Sequence, residues 1–280
     1  MAPKVTVPDV RSRKTGPPLT MVTAYDTPSA SIASEAGADM ILVGDSLANV
    51  VLGYRDTLAV DIDVMIHHTA AVARAHSEAL IVGDMPWMSY HTTAEDAIRN
   101  ASRLVREGGA ESVKLEGGAK RVPVIEAILG AEIPVMGHIG LTPQSVHAMG
   151  GYRVQGKAAD AARALIADAK AVEAAGAFAI VLEGVPDLLG KLITREVAVP
   201  TIGIGAGPYT DGQVLVFHDV LGLGVGKVPK FVRQYADLRG SAIEALKAFF
   251  EDVRSRAFPS DDESYHMAEE AAKALLTELG

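Results

Sequence analysis

The sequence predicts a (β/α)8 barrel, in which eight parallel strands close into a cylinder with helices around it. Short apolar segments recur eight times, about every 29 residues, close to the ~30 residues of one βαβ unit. Several, such as ADMILVGD, ALIVGD and FAIVLEG, are unbroken apolar runs, which is typical of parallel strands covered on both faces. Helix-like segments separate them, and this alternation indicates an α/β fold.

The predicted strands cover residues 19–24, 40–44, 80–84, 112–116, 134–138, 178–183, 200–203 and 221–225. The helices between them are predicted at residues 27–36, 64–78, 94–107, 121–129, 158–175, 186–197 and 214–219. Thr27-Pro28 begins the first with a capping residue and a proline, and Gly176 ends the fifth. Two more helices, at 231–256 and 268–279, follow the eighth strand. We therefore expect one barrel domain over residues 1–258 and a tail over 259–280 with a short extra helix.

The alternative α/β fold, a doubly wound nucleotide-binding sheet, does not match the glycine pattern. Such a sheet carries G-x-G-x-x-G after its first strand, whereas the first predicted strand here ends in TAYD. The glycine-rich segments GIGAG (203–207) and GLGVG (222–226) come late in the chain. Barrels bind anions after strands seven and eight, so these positions favour the barrel.

Composition excludes several classes of function. None of the 280 residues is cysteine, which excludes disulfides, thiolate metal sites and a cysteine nucleophile. The formal net charge of −9 is the wrong sign for binding nucleic acid or an anionic membrane. No apolar run approaches the ~18 residues of a spanning helix, and the N-terminus lacks the apolar region of a secretory signal. We expect a soluble cytoplasmic protein.

Polar residues at the carboxyl ends of the predicted strands are the candidate site residues, because barrel enzymes place their active sites there. They are Tyr25, Asp26, Asp45, Ser46, Asp84, Lys114, Glu116, His138 and Glu183. Lys114 and Glu116 are two residues apart, so the strand period of two points both to the same side.

Four of these residues, Asp45, Asp84, Glu116 and Glu183, are carboxylates that end apolar strands. A buried carboxylate is costly unless it is paired, so a converging group predicts a bound cation. Oxygen donors without thiolates or paired histidines favour Mg²⁺ or Mn²⁺ over Zn²⁺. The alternative is that each acid caps the helix that follows its strand.

A metal beside a lysine suits chemistry on a small 2-oxo acid. The acid chelates the metal through its carboxylate and keto oxygens, and the metal stabilises the enolate formed when a neighbouring C–H proton leaves. A carboxylate that is not a ligand is the candidate base. The residues by themselves do not identify the electrophile.

The sequence resembles the ketopantoate hydroxymethyltransferase family over about residues 18–266. Ten segments carry the resemblance in order: TAYD (23–26), LVGDS (42–46), HHTAAV (67–72), GDMP (83–86), VKLEGG (113–118), GHIGLTPQSV (137–146), GGYRVQG (150–156), GIGAG (203–207), DGQVLV (211–216) and PKFVRQYAD (229–237). The resemblance implies a barrel of the phosphoenolpyruvate/pyruvate type that assembles as a homodecamer.

The resemblance also implies roles for the strand-end residues. Asp45, Asp84 and Glu116 match the ligands of one Mg²⁺ per subunit. Asp45, Ser46, Asp84 and Lys114 match contacts to the keto acid, and Glu183 matches the proton acceptor. His138 is included only as a neighbour of the site. The implied reaction transfers a hydroxymethyl group from 5,10-methylenetetrahydrofolate to 3-methyl-2-oxobutanoate and gives 2-dehydropantoate, in pantothenate biosynthesis.

Two other functions remain as alternatives. One is another metal-dependent, enolate-forming carbon–carbon lyase or mutase of the same barrel class, which would typically carry a catalytic cysteine that this chain lacks. The other is a non-catalytic barrel that binds an anion through its late glycine segments and serves as a scaffold. A non-catalytic scaffold is expected to have lost the polar residues at the strand ends, yet those residues are present.

Overall fold

The computed structural model describes residues 3–226 and 228–280 and contains a closed barrel of eight parallel strands. The strands pair in chain order, and the first also pairs with the last. They are β1 (Leu19–Thr23), β2 (Met40–Val43), β3 (Leu80–Asp84), β4 (Ser112–Glu116), β5 (Val135–Gly140), β6 (Ala179–Glu183), β7 (Thr201–Ile204) and β8 (Gly212–Leu215). The predicted barrel fold is confirmed.

Helices connect most of the strands. In chain order they are α1 (Val7–Ser12), α2 (Thr27–Glu35), α3 (Leu47–Val50), α4 (Ile62–Ala73), α5 (Ala94–Arg106), α6 (Val122–Gly130), α7 (Val146–Met149), α8 (Ala159–Ala174), α9 (Asp187–Glu196), α10 (Phe217–Val220), α11 (Leu238–Ser255) and α12 (Glu269–Leu279). Short 3₁₀ turns at Ala119–Arg121 and Pro143–Ser145 precede α6 and α7. Pro8, Pro28 and Pro123 lie in first turns, where a proline costs no helical hydrogen bond.

The core has two layers because successive strand residues point to opposite faces. Inward side chains such as Met21, Leu42 and Val181 fill the barrel, together with Val10 of α1. The Val5 N–H bonds the carbonyl of Glu78, just before β3, so α1 lies at the end where the strands begin. Outward side chains pack against the surrounding helices. With one end of the barrel filled, the cavity forms at the opposite end.

The eighth strand differs from the prediction. Residues 221–225 were predicted as this strand and 214–219 as a helix, but the strand is β8 and α10 follows it. The GQVL sequence of β8 lacks a long apolar run, and Gln213 is exposed, so its apolar signal is weak. Gly222 adopts a left-handed backbone with φ +65°, and a Cβ there would lie 2.4 Å from the carbonyl oxygen of Ala236. Residues 221–225 therefore form a turn after α10.

The two C-terminal helices contain no buried residue. α11 begins later than predicted, at Leu238, and its apolar side chains, among them Leu246 and Phe249, are largely exposed. The division into a barrel (1–258) and a tail (259–280) stays a prediction, and its first range includes residues 1, 2 and 227, which lie outside the described residues. Among the helices described, none combines the length and the apolar character needed to cross a membrane.

Candidate active site

A cavity of about 870 Å³ lies where the carboxyl ends of the strands meet. The predicted site residues that line it are Asp45, Ser46, Asp84, Lys114, Glu116, His138 and Glu183. Strand register explains their proximity, because Asp84 pairs with Lys114 across β3 and β4 and Glu116 pairs with His138 across β4 and β5. Lys114 and Glu116 both face the cavity, as their spacing predicted.

Asp45, Asp84 and Lys114 form a buried charged group on one side of the cavity. The N–H of Asp45 donates to Asp84 Oδ2 at 3.1 Å. Lys114 Nζ lies 2.8 Å from Asp84 Oδ1, but its angle of approach leaves that oxygen without a hydrogen bond. The Lys114 side chain is 4% exposed and that of Asp84 is 1% exposed. The contact is therefore an ion pair shielded from water.

His138 lies between Glu116 and Glu183, and its Nδ1 is 3.3 Å from Lys114 Nζ, so it adjoins the first group. Its Nδ1 is 3.5 Å from Glu116 Oε1, and its Nε2 is 3.2 Å from Glu183 Oε2. Both contacts are within ion-pairing distance but lack the alignment of a hydrogen bond, so Glu116 Oε1 has no hydrogen-bond partner. His138, which sequence reasoning included only as a neighbour, thus links a predicted metal ligand to the predicted base.

The pKa values of these groups reflect burial and mutual repulsion. Burial raises the pKa of Asp45, and the neighbouring carboxylates of Asp84 and Glu116 raise it further. Burial also raises the pKa of Asp84, although Lys114 opposes this. Burial disfavours the His138 imidazolium, but contacts with Glu116 and Glu183 outweigh it and raise the pKa to about 9. The cavity floor thus carries an excess of acidic groups, which a cation would neutralise.

As they stand, these carboxylates do not enclose a metal. Within residues 3–226 and 228–280, no group of three or more His, Cys, Asp or Glu side chains is arranged to hold an ion. Mg²⁺ is commonly bound through one or two protein carboxylates, with water and substrate completing its shell. The predicted ligand set of Asp45, Asp84 and Glu116 therefore stays a prediction.

Of the two remaining strand-end candidates, one supports the site and one does not line it. Tyr25 is buried and its hydroxyl lies 2.9 Å from Ser46 Oγ. Asp26 instead caps α2 by accepting a hydrogen bond from the N–H of Ser29 at 2.8 Å. The N-cap of α2 is therefore Asp26, and the prediction that Thr27 is the capping residue is wrong, because Thr27 is already the first helical residue.

Sequence reasoning missed two buried polar residues, Tyr90 and Gln144. The side-chain amide of Gln144 donates to Asp45 Oδ2 at 2.9 Å. The hydroxyl of Tyr90 donates to Gln144 Oε1 at 2.6 Å. Neither residue lies at the carboxyl end of a predicted strand, which was the criterion for the other candidates, so neither was selected. The available signal was the position of Gln144 in the segment GHIGLTPQSV, directly after β5.

The outer wall of the cavity is made of larger and partly exposed side chains. They include Asn49, Tyr152, Arg153, Lys230 and Phe231. GIGAG contributes Ile204, Gly205 and Gly207 to the lining, whereas GLGVG contributes no residue. Only the first of the two late glycine segments is thus part of this cavity.

Solved structures with the same fold have distant sequences. The structure of 2,3-dimethylmalate lyase, a PEP mutase/isocitrate lyase superfamily member, has a TM-score of 0.58 and 17% identity, covering 99% of this chain and 100% of that one. Phosphonopyruvate hydrolase in complex with oxalate and Mg²⁺ has a TM-score of 0.59 and 14% identity, covering 98% of this chain and 96% of that one. Identities this low establish the fold alone.

Close relatives identify the family. A family model described as ketopantoate hydroxymethyltransferase matches residues 4–261. The 3-methyl-2-oxobutanoate hydroxymethyltransferase of Koribacter versatilis is 55% identical, covering 92% of this chain and 88% of its own. The protein of the same name from Geobacillus kaustophilus is 54% identical, covering 94% of each chain. This chain is therefore an enzyme of the transferase class and belongs to the ketopantoate hydroxymethyltransferase family.

Proposed function

We propose that this enzyme transfers a hydroxymethyl group from 5,10-methylenetetrahydrofolate to 3-methyl-2-oxobutanoate, giving 2-dehydropantoate for pantothenate biosynthesis, with Mg²⁺ as cofactor. The observation that carries the proposal is the set of side chains at the cavity floor. Three buried carboxylates, a buried lysine and a fourth carboxylate converge there, and the family membership supplies the substrates.

The donor set at the cavity floor fits Mg²⁺. Asp45, Asp84 and Glu116 would hold it, and they offer only oxygen, the donor that Mg²⁺ prefers. Glu116 Oε1 is buried and has no hydrogen-bond partner, so it has lone pairs available for a cation. When bound, Mg²⁺ would polarise the keto group and stabilise the negative charge that develops on it. The fold-related phosphonopyruvate hydrolase, whose structure holds oxalate and Mg²⁺, supports this choice.

Ser46 and Lys114 would position the carboxylate of the keto acid. Lys114 is held in place by Asp84, and the carboxylates around it outweigh burial and raise its pKa, so it stays cationic. The hydroxyl of Tyr25 can donate to Ser46 Oγ, which leaves the serine O–H free to donate to the substrate. An ammonium and a hydroxyl together suit a carboxylate, which accepts hydrogen bonds through both oxygens.

Glu183 would accept the proton from C3 of the keto acid. Its side chain is 16% exposed at the cavity wall, so substrate can reach it. His138 Nε2 lies 3.2 Å from Glu183 Oε2 and so helps to hold this carboxylate at the cavity wall. Water attacks the methylene carbon of the folate and both C–N bonds of that carbon break, so tetrahydrofolate leaves and formaldehyde remains. The electron pair released at C3 forms the new bond to the formaldehyde carbon, and the proton taken by Glu183 passes to its oxygen to complete the hydroxyl group.

The size of the cavity supports a second, larger substrate. The keto acid occupies a small part of about 870 Å³, a volume in the range of pockets for drug-sized ligands. Tyr152 and Phe231 offer aromatic surface on the outer wall, and Arg153 and Lys230 offer positive charge. These side chains suit a flat heterocycle with an acidic tail, which is the chemistry of a folate.

The test is exchange of the C3 hydrogen of 3-methyl-2-oxobutanoate in deuterium oxide, followed by proton NMR with Mg²⁺ present. We expect Glu183→Gln to abolish exchange while keto-acid binding is largely retained, because the amide keeps the shape but does not accept the proton. Glu126→Gln, an exposed change on α6, is the matched control and should exchange like the wild type. Undiminished exchange in Glu183→Gln would refute the assignment of the base.

The complete reaction is tested by mixing keto acid, methylenetetrahydrofolate and enzyme, with and without a chelator. We expect 2-dehydropantoate to form only when divalent metal is available. Formation at the same rate after chelation and metal removal would refute the metal dependence. The homodecameric assembly and the cytoplasmic location stay predictions.

A further inference from the structure

Gln144 is a buried polar residue that the proposed chemistry does not use, yet it contacts two of the three predicted metal ligands. It lies in the 3₁₀ turn after β5 and is 5% exposed. Its backbone N–H donates to Glu116 Oε2 at 3.0 Å. Its side-chain Nε2 donates to Asp45 Oδ2 at 2.9 Å. One residue therefore connects carboxylates that arrive from β2 and β4.

The orientation of the Gln144 amide is determined by its partners. Nε2 also donates to the carbonyl oxygen of Met85 at 3.0 Å, so both amide hydrogens are used. Oε1 accepts a hydrogen bond from the Tyr90 hydroxyl at 2.6 Å. A flipped amide would place oxygen against the Asp45 carboxylate and the Met85 carbonyl. Only one orientation therefore satisfies every group, and it presents a donor to Asp45.

Tyr90 determines this orientation because its own hydrogen bonds leave one choice. Its hydroxyl oxygen accepts from the Glu116 N–H at 3.0 Å. Its single hydrogen goes to Gln144 at 2.6 Å, since the alternative acceptor, the Glu116 carbonyl, is at 3.3 Å. The ring is fully buried and lies under the Arg121 guanidinium, 5.3 Å from the ring centroid. Tyr90 is thus a fixed donor.

We propose that Gln144, oriented by Tyr90, is a positioning residue that holds Asp45 and Glu116 in the arrangement that binds the cation. Each carboxylate gives one oxygen to Gln144, which leaves the other for the metal, and Glu116 Oε1 has no hydrogen-bond partner. Groups that orient metal ligands in this way set the affinity of the site. The inference rests on the Mg²⁺ site of the proposed function.

The experiment measures Mn²⁺ affinity, with Mn²⁺ as a probe of the oxygen-donor site and its free concentration read from the electron paramagnetic resonance signal. Gln144→Met keeps the length and the backbone N–H of the residue but removes its amide. We expect its affinity for Mn²⁺ to fall about tenfold to a hundredfold. Tyr90→Phe removes the hydrogen bond that orients the Gln144 amide, together with the one that its hydroxyl accepts from the Glu116 N–H, so we expect a loss of about threefold to tenfold.

Matched controls make the same chemical changes away from the site. Gln234→Met alters an exposed glutamine that does not line the cavity, and Tyr265→Phe alters a fully exposed tyrosine. Both should bind Mn²⁺ like the wild type. The midpoint of thermal unfolding is measured for every variant, because a purely structural role for Gln144 would lower the midpoint without changing the metal affinity.

Weaker Mn²⁺ binding by Gln144→Met with an unchanged midpoint supports the inference. Wild-type affinity in that variant overturns it and leaves the Mg²⁺ site intact. If Gln144→Met does not fold, Tyr90→Phe decides: weaker binding supports the inference, and unchanged binding overturns it. If the wild-type enzyme itself binds no Mn²⁺, both this inference and the proposed metal site are overturned.

Discussion

Replacing Lys114 with methionine should strongly destabilise the protein, because it removes a buried ammonium from among the carboxylates that line the cavity floor. The Nζ of Lys114 lies 2.8 Å from Asp84 Oδ1, and the two side chains are 4% and 1% exposed. Removing one partner of so deeply buried a pair costs about 3–5 kcal/mol, since the remaining charge stays desolvated and unpaired. At about 2–4 °C per kcal/mol, the midpoint of thermal unfolding should fall by roughly 6–20 °C.

The matched control is Lys170→Met, which breaks an ion pair of almost the same length on the surface. Lys170 Nζ lies 2.7 Å from Glu196 Oε2, but these side chains are 51% and 34% exposed. An exposed pair contributes about 0–1 kcal/mol, so the midpoint should move by less than about 4 °C. Burial, rather than the distance between charges, accounts for the difference.

The assay is thermal unfolding followed by circular dichroism at pH 7 in the absence of divalent metal. The double variant Lys114→Met/Asp84→Asn should regain much of the lost stability, because the second change removes the unpaired charge while keeping the side-chain shape. A Lys114→Met midpoint as close to wild type as that of Lys170→Met would refute the reasoning. So would a double variant less stable than the single one.

Three further changes test other parts of the structure. Gly137→Ala would place its Cβ 2.4 Å from Val172 Cγ1, so the free energy of unfolding in urea should fall by about 1–3 kcal/mol. The control is Gly130→Ala, whose Cβ would have no atom within 4 Å and which should show no such fall. Asp26→Ala should lower the free energy of unfolding by about 1 kcal/mol, because it removes the cap of α2. The affinity for keto acid, measured by calorimetry, should stay unchanged, and a reduced affinity would show that Asp26 contributes to the site. Burial and nearby cations lower the pKa of His91 from 6.5 to about 4. Between these pH values the unfolded chain binds a proton at this residue and the folded chain does not. Stability should therefore fall as pH decreases from 6.5 towards 4, and His91→Gln should lessen that fall; identical slopes for both proteins would contradict it.

The barrel was predictable because its signals are local. Uninterrupted apolar runs mark strands with two covered faces, and the predicted strand at 80–84, which begins with such a run, matches β3 in full. The strand-end rule located Asp84, Lys114 and Glu116 because all parallel strands of a barrel end at the same rim. Where the local signal is weak the prediction is wrong, as at β8, whose sequence contains Gly212 and an exposed Gln213.

The same strand-end signal does not distinguish a site residue from a helix cap. Asp26 and Asp45 both follow apolar strands, yet Asp26 turns to its own helix and Asp45 turns into the cavity. The difference depends on the direction in which the chain leaves each strand. Ser29, three residues after Asp26, offers an N–H and a hydroxyl to the carboxylate, whereas Asp45 finds its amide partner in the distant Gln144.

By itself, the sequence determined the barrel, the rim at which its strands end and the acidic character of that rim, because periodicity and apolar runs act over a few residues. Only the tertiary structure decided which polar groups meet. Gln144 reaches Asp45 across 99 residues of chain and Tyr90 across 54. His138 joins Glu116 to Glu183 because strand register aligns β4, β5 and β6. Such contacts depend on barrel closure, which brings residues together at separations that no local pattern encodes.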